Sequence, residues 1–562
     1  MMMTMATAAA VAVEDSTTDD VQPLSTLKMQ AAQVAMDSGA VIHASPDVLG
    51  KNGEDSAWVT VNVTAPSPSA GHWVALFSPA DFGYGLPSYL LVYMFANVSP
   101  SFMSSGSGNL RFLVINQRSD YAFGLFSGGK DNPKLIAISN KVSFANSKAP
   151  VFPRLSQGKE WNEMAVTWTS GYNINEAYPF VEWKMKGGES SKRTPAGTLT
   201  YTRRHLYSYQ IGHELPDGTV VWGKSSTFRA SPFPGQDSLQ RVVVFGDMGI
   251  GQRDGSNELA GFQPGAQVTT DRLIKDLPNY DAVFHIGDLS YSNGFLAQWD
   301  QFTAQIEPIA SKVPYMVASN VVVLCRCSGN HERTYQDTGG FYNGNDSRGE
   351  CGVPAETYFY VPAENRGKFW YAADHGMFRF CVGDRCFSSV DRKHQPWLVF
   401  AAHRPLGYSS NDYYATEGSF SEPMGRTLQG LWQKHRVDLA IYGHVHNYER
   451  TCPVYENTCM DGKSKQDKGS YSGAMGGTIH VVAGTGGAKL RDYSAGPSPQ
   501  WSVVRDKSFG YVKLTATDHS SLRVEFIHSD DGAAHDAFDI TRDYKDVLAC
   551  TVDSCAPHTM AN

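Results

Sequence analysis

The sequence predicts a multidomain protein, with β-sandwich modules ahead of Gln240 and an α/β domain behind it. Three observations carry that expectation. At 562 residues the chain exceeds what one hydrophobic core organises, so two or three domains are expected. From Val41 to about Phe144, and again from Met164 to Gly212, short alternating apolar runs are broken by Gly, Pro, Ser and Asn, the pattern of strands packed face to face. After Gln240, continuous apolar runs alternate with stretches of helical period, as in a buried, largely parallel sheet.

The first module, 41–147, is marked by runs such as Trp58 to Val63 and Tyr89 to Met94. The second, 148–232, places strands at Met164 to Trp168, Phe180 to Trp183 and Tyr207 to Gly212, a spacing reminiscent of a fibronectin type III module. The Pro-rich run Ser231-Pro232-Phe233-Pro234-Gly235 closes this half as a linker. In the α/β domain, 240–490, the strands expected are Val242 to Phe245, Ala282 to Ile286, Trp397 to Ala401 and Leu439 to Tyr442. Between them Leu273, Ile274 and Leu277 share one helical face, as do Leu428, Leu431 and Trp432. Thr478 to Val482 and Tyr511 to Leu514 resume strand character, and 491–557 is expected to complete the domain.

Composition narrows the function. Lys and Arg number 48 and Asp and Glu 56, a net charge of -8 with no block of like charge, so a nucleic-acid partner, which needs a basic face, is not expected. Hydrophobic residues at 41% and aromatics at 12% fill cores and exclude a disordered chain. No apolar run is long enough to span a bilayer. Ala8 to Val13 is apolar but short, and no Lys or Arg precedes Lys28, which makes a poor secretory signal. Sequons at Asn62, Asn97 and Asn345 permit glycosylation on a secretory route. The nine cysteines form no two-pair zinc pattern; Cys452/Cys459 and Cys550/Cys555 are close enough for local disulfides, so disulfide or buried thiol is the reading.

The chemistry lies at strand ends. Four buried runs lead directly into polar clusters: Gly246-Asp247-Met248-Gly249, Gly287-Asp288-Leu289-Ser290-Tyr291, His403, and Gly443-His444-Val445-His446. A fifth, Gly329-Asn330-His331-Glu332, follows another apolar stretch. Carboxyl ends of strands open onto one crevice, so residues far apart in sequence can converge there. Singly, each Asp reads as a turn or cap residue and each His as an ordinary hydrogen-bonded one. Together, Asp247, Asp288, Tyr291, Asn330, His403, His444 and His446 are a ligand inventory for two cations of differing hardness. Phosphate-ester hydrolysis needs a strong nucleophile and screening of charge on the phosphoryl oxygens, and two cations roughly 4 Å apart supply both. One carboxylate is expected to bridge them. Phenolate and Asp oxygens suit a hard trivalent ion, whereas imidazole and an amide carbonyl suit zinc, manganese or ferrous iron. The cluster Gly484-Thr485-Gly486-Gly487 lacks the Lys-Ser/Thr of a phosphate-cradling loop and reads as a corner between strands. No motif supports a serine triad.

The five blocks, in this order, resemble those of the plant-type purple acid phosphatases. Asp254-Gly255-Ser256-Asn257-Glu258 and Gly443 through Pro453 resemble the long subgroup that includes nucleotide pyrophosphatase/phosphodiesterases. The resemblance implies a metallophosphoesterase domain built as a β-sandwich flanked by helices. It implies ferric iron on Asp247, Tyr291 and His446, a divalent zinc, manganese or iron ion on Asn330, His403 and His444, Asp288 bridging, and attack on phosphorus by a metal-bound hydroxide. His331 would touch the substrate phosphate, with Asn330, Asp412 and Tyr413 as further substrate contacts. A small phosphorylated substrate such as a nucleotide or phosphate ester, a homodimer, and a secreted, vacuolar or cell-wall location are implied likewise.

The chain departs from the family pattern in places. Where relatives with strong acid phosphatase activity carry paired histidines, this chain reads Ser410-Asn411-Asp412-Tyr413-Tyr414. Losing a general acid costs about 10²–10⁴ in rate and matters most for poor leaving groups, so nucleotide anhydrides or activated esters are the expected substrates. The apolar insert Asn320 to Ser328 must loop out if Asn330 and His331 are to keep their strand end. Segments are expected to be missing after Thr202-Arg203-Arg204 and around Gly383-Asp384-Arg385. The rival class is a weak or non-catalytic protein that binds metal or phosphate and uses its β modules for partner contacts.

Overall fold

The computed structural model describes residues 33–541 and 543, except 81–89, 196, 203, 258–261, 319–328, 336–343, 365–369, 383–385, 407, 410–422, 461–468, 474 and 494–497.

The first module is a sandwich. Strands Val41–Ser45, Ser56–Thr64 and Ser107–Ile115 form a three-stranded sheet. It faces a larger one containing Trp73–Phe77, Leu90–Phe95, Asp120–Ser127 and Lys134–Ile138. Alternation along Ser56–Thr64 turns Val59, Val61 and Val63 inward, where they pack with Val74, Leu76, Phe123 and Leu125. Each such side chain contributes about 1.5–3 kcal/mol by leaving water.

The second module shows seven strands among the described residues. Val151–Gln157, Glu163–Thr169 and Thr198–Thr200 form one sheet; Lys192–Pro195, Tyr178–Met185, Leu206–Glu214 and Val220–Arg229 form the other. Leu155, Val166, Val181, Ile211 and Phe228 meet between them.

Behind Gln240 the chain builds two sheets that face each other. In the first, Tyr315–Val317, Ala282–His285 and Gln240–Phe245 run parallel, and Gly510–Asp518, Ser521–His528 and Ala534–Thr541 extend the sheet antiparallel. In the second, Phe378–Val382, Trp397–Ala402, Leu439–Tyr442 and Thr478–Ala483 run parallel, with Tyr371–His375 and Tyr448–Tyr455 antiparallel at either side. The apolar runs alone read as a buried, largely parallel sheet; the two mixed sheets correct that reading and are the β-sandwich flanked by helices that the family resemblance implies. The physical reason is that a strand covered on both faces reads as continuously apolar, whether its cover is helix or a second sheet. Here Val243, Val244 and Val283 of one sheet share a core with Phe380, Val399, Ile441 and Val481 of the other.

Helices cover the outer faces. Ala266–Asp276 turns Leu273 into that core, with Ile274 and Leu277 packed against it. Leu296–Ala310 buries Trp299, Phe302 and Ile306 in the same core. Pro423–His435 brings Leu428 and Trp432 onto Phe400 and Tyr442. Across the sandwich, the fully buried Arg450 grips Asp536 with two bonds of 2.6 and 2.9 Å, tying the last strand to the one that leaves the Gly443–His446 turn. Cys452 pairs with Cys459, as the spacing allows, and Cys381 with Cys386. Cys325, Cys327, Cys550 and Cys555 lie outside the described residues. Among the described residues, no helix is long and apolar enough to cross a membrane.

Candidate metal centre

Asp247 follows strand Gln240–Phe245, Asp288 follows Ala282–His285, His403 follows Trp397–Ala402, and His444 follows Leu439–Tyr442. All four sit at carboxyl ends, and the structure gathers them with Tyr291, Asn330 and His446. Donor atoms of Asp288, His403 and His444 lie within 4.8 Å of one another, as do those of Asp247, Asp288 and His446. Asp288 belongs to both groups. Asn330 opens the short helix Asn330–Arg333, and its Oδ1 lies 2.9 Å from His444 Nδ1 and 3.1 Å from His403 Nε2. Asn330 thus lies at the centre; the insert Asn320 to Ser328 lies outside the described residues. Tyr291 Oη stands 3.1 Å from Asp247 Oδ1 and 3.0 Å from His446 Nε2.

The backbone is bent to achieve this. Asp247, Asp288, Tyr291 and His444 all have left-handed φ, at 63°, 49°, 55° and 68°, a conformation that costs roughly 1–3 kcal/mol per residue. Two glycines make room. A Cβ on Gly287, itself at φ 91°, would fall 2.6 Å from the His403 ring, and one on Gly443 would fall 2.6 Å from Asp247 Oδ2. The Gly484–Gly487 corner packs beneath, with the Ala488 N–H donating to the Asp247 carbonyl at 2.8 Å.

Hydrogen-bond direction shows what the donors are set for. A carbonyl oxygen only accepts, so His403 Nδ1 must donate to Ile286 O (3.1 Å) and His446 Nδ1 to Lys489 O (3.0 Å). In the neutral imidazoles, each Nε2 is then a lone pair. That of His403 faces Asn330 Oδ1 and, at 3.3 Å, Asp288 Oδ2; that of His446 faces Asp247 Oδ1, also at 3.3 Å. Acceptors pointing at acceptors repel unless a proton or a cation stands among them. A ring N–H anchored on a carbonyl is also how metal-binding histidines are oriented. The donor set fits two cations sharing Asp288.

Charge agrees with this geometry. Burial, then Arg404 and His403, push His444 well below the usual histidine range, which keeps it in the neutral form that ligates. Arg404 Nη1, which can only donate, lies 3.0 Å from His444 Nε2, so the neutral ring carries its proton on Nδ1, which donates to Asn330 Oδ1 at 2.9 Å, and a cation there would displace that proton. A proton can stand between the acceptors as a cation can: against burial, Asp288 and Asp247 raise His403 above the usual histidine range, and against burial the charged rings of His403 and His331 hold Asp288 well below the usual carboxylate range. Burial, then Asp247 and Asp288, drive the Tyr291 phenol well above its usual value, so a phenolate there requires a cation.

Sequence reasoning placed His331 at the centre, and its backbone N–H donates to Asp288 Oδ1 at 3.0 Å, while its ring lies 4.3 Å from that of Tyr291. Asp412 and Tyr413 lie outside the described residues. Reading the sequence gave no role to Glu332. Its buried carboxylate accepts the Asp288 N–H at 2.9 Å and the Leu289 N–H at 2.7 Å, fixing the turn that carries the shared ligand. Asn293, whose Oδ1 lies 2.9 Å from His331 Nδ1, was also missed. The only signal for Glu332 was its place in the Gly329–Glu332 block.

Comparison with known proteins agrees with this geometry. Residues 240–448 match the calcineurin-like phosphoesterase family, 42–146 the Fn3-like domain from purple acid phosphatase, and 477–537 the iron/zinc purple acid phosphatase-like protein C. Fold and site thus define a metallophosphoesterase. "Probable inactive purple acid phosphatase 27" of Arabidopsis thaliana is 54% identical over 600 aligned residues, covering 96% of each chain. The chain belongs to the purple acid phosphatase family. A nucleotide pyrophosphatase/phosphodiesterase of Hordeum vulgare is 59% identical over 363 residues, 62% of this chain and 95% of its own. The structure of purple acid phosphatase PPD1 isolated from yellow lupin (Lupinus luteus) seeds superposes with a TM-score of 0.85 at 50% identity, covering 92% of this chain and 99% of the lupin one. The 600-residue alignment is longer than the 562-residue chain, so that relative carries residues with no counterpart here.

Proposed function

We propose that this family member is a working hydrolase that cleaves nucleotide phosphoanhydrides or activated phosphodiesters in preference to alkyl phosphomonoesters. One observation carries the reading: the Nε2 atoms of His403 and His446, each anchored through Nδ1 on a backbone carbonyl, converge on carboxylate and amide oxygens around a shared Asp288, where cations can take the place of protons. Asp247, Tyr291 and His446 would hold ferric iron, Asn330, His403 and His444 a divalent zinc, manganese or iron ion, and Asp288 both. When bound, such a pair supplies the Lewis acidity that screens charge on the phosphoryl oxygens and lowers the pKa of water. His331, steadied by Asn293 Oδ1 on one ring nitrogen, keeps the other for a phosphoryl oxygen of the substrate. Glu332 holds the Asp288 turn in register for it.

Ser410 to Tyr414 offers no histidine to protonate a leaving group, which supports substrates whose leaving group departs as an anion. The same absence, together with the word inactive in the names of several relatives, supports a second reading: a metal- and phosphate-binding homologue without turnover. Metal analysis, a visible spectrum and parallel assays of a dinucleotide and glycerol phosphate decide between them. Two metals per chain, a broad absorption in the green to yellow and faster dinucleotide turnover are expected. Metals and colour without turnover select the second reading, and a protein that takes up no metal defeats both. The exposed sequon residues Asn62, Asn97 and Asn345 support a glycosylated, secreted or vacuolar protein, and family resemblance supports a homodimer.

A further inference from the structure

A cavity of about 670 Å³ lies between the second β module and the catalytic domain. Arg241 is the second residue of strand Gln240–Phe245, Asp281 immediately precedes Ala282–His285, and Lys312 precedes Tyr315–Val317. The cavity is therefore at the amino ends of the strands whose carboxyl ends carry Asp247 and Asp288. At about 3.3 Å per residue, strands of this length separate the two places by roughly 15–20 Å.

The walls are cationic. Arg204 and Arg229 line the cavity from the module side and Arg241 and Lys312 from the catalytic side, while Asp281 is the one carboxylate among the described lining residues. Asp281 is already engaged: its Oδ2 accepts the Arg241 backbone N–H at 2.9 Å, and its Oδ1 lies 3.7 Å from Arg204. Neither Arg229 nor Lys312 has an ion pair among the described residues. Burial first, and then repulsion from Arg229, depress the Arg204 pKa against the pull of Asp281, so the cations act on one another without enough negative charge between them. His375, buried in the wall, has an Nε2 with no hydrogen-bond partner among the described residues. Such a concentration is unexpected in a chain of net charge -8. Guanidinium forks match phosphate oxygens in pairs, and a lysine adds a mobile point charge.

We propose that this cavity is a second anion site, separate from the metal centre, for a compact phosphate-type anion carrying at least two negative charges. The anion would join the two domains by neutralising cations that each contributes. Arg204 is also the residue after which the resemblance implies a missing segment.

Calorimetric titration of the metal-loaded protein with imidodiphosphate, whose bridging nitrogen resists hydrolysis, tests the proposal. Wild type is expected to take up two equivalents. Arg229→Glu/Lys312→Glu is expected to weaken the second by at least about tenfold, with metal content and Tm unchanged. Arg229→Gln/Lys312→Gln, which removes charge without reversing it, reads the same loss in smaller measure should the reversed variant fail to fold. AMP in place of imidodiphosphate separates the sources: tighter binding at the second site assigns a nucleotide, weaker binding a free phosphate anion. One equivalent in wild type, or an unaltered second equivalent in both variants, overturns the site.

Discussion

Among the described residues behind Gln240, two places each hold two groups of three Asp and His donor atoms within 4.8 Å, one place around Asp288 and the other around His528, yet only the first is arranged for a cation. Around Asp288, the rings of His403 and His444 meet nearly edge to face, at 70°, with their carbonyl- and arginine-anchored nitrogens turned away from the shared oxygens. Around Asp506, the rings of His528 and His535 lie flat against each other, 3.4 Å apart and 6° from parallel. Parallel rings send their lone pairs side by side rather than to a common point. Each ring there already has its own carboxylate, His528 on Asp506 at 2.9 Å and His535 on Asp531 at 3.0 Å. Proximity of donors is thus a weak criterion. For His403 and His446 the direction of the Nε2 lone pair, fixed by the backbone carbonyl to which Nδ1 donates, separates a metal centre from a hydrogen-bonded pair.

The sharpest way to break the comparison is to remove the shared carboxylate. Asp288→Ala is expected to release metal and to lower turnover about 10³-fold or more, since the cations supply several kcal/mol and each 1.4 kcal/mol is a factor of ten; full metal content in this variant would refute a shared ligand. Glu332→Ala comes next: losing the anchor of the Asp288 turn is expected to weaken metal affinity by about 10–100-fold, read by competition with a chelator.

Acid sharpens the contrast further. Burial pushes His375 down to about 4 and His480 to about 3, so between pH 6.5 and those values the unfolded chain binds protons that the folded chain refuses. Their contribution to stability is complete above pH 6.5 and fades as pH falls, by at most about 1.4 kcal/mol per pH unit for each histidine. A Tm that stays flat from pH 6.5 to 4.5 contradicts this. Asp531 is held low by the Ala533 N–H and then by His535, so its contribution is complete above the ordinary Asp value of about 3.9 and is lost only below it. The smallest effect belongs to His535→Ala, expected to leave metal content unchanged and stability within about 0.5 kcal/mol. A drop in bound metal would reveal a ligand where the ring geometry denies one.

How far the sequence disclosed all this depends on the kind of interaction. The seven donors were legible because each is a distinctive side chain directly beyond an apolar run or in an ordered block, and a strand delivers its last residue to a known end of a sheet. The partition into two sheets was legible through the family resemblance and not in the apolar runs themselves, because Val243 and Val399 are equally buried whichever strand they pair with. Nor were the anchors of the histidines, since Ile286 O and Lys489 O are backbone atoms that any residue could offer from those positions. Arg404 and Glu332 stood beside recognised ligands, but their partners, His444 and the Asp288 turn, lie 40 or more residues away in the chain. The basic cavity was invisible for the same reason, its cations being spread over both domains of a chain that is acidic as a whole.

The left-handed turns at Asp247, Asp288, Tyr291 and His444 carry one last consequence. Glycine at any of them would relax the chain and delete a donor in the same stroke. Selection for robustness and selection for chemistry therefore press on the same four places in opposite senses, and a lineage that ceased to use the centre would meet no resistance in letting those turns unwind.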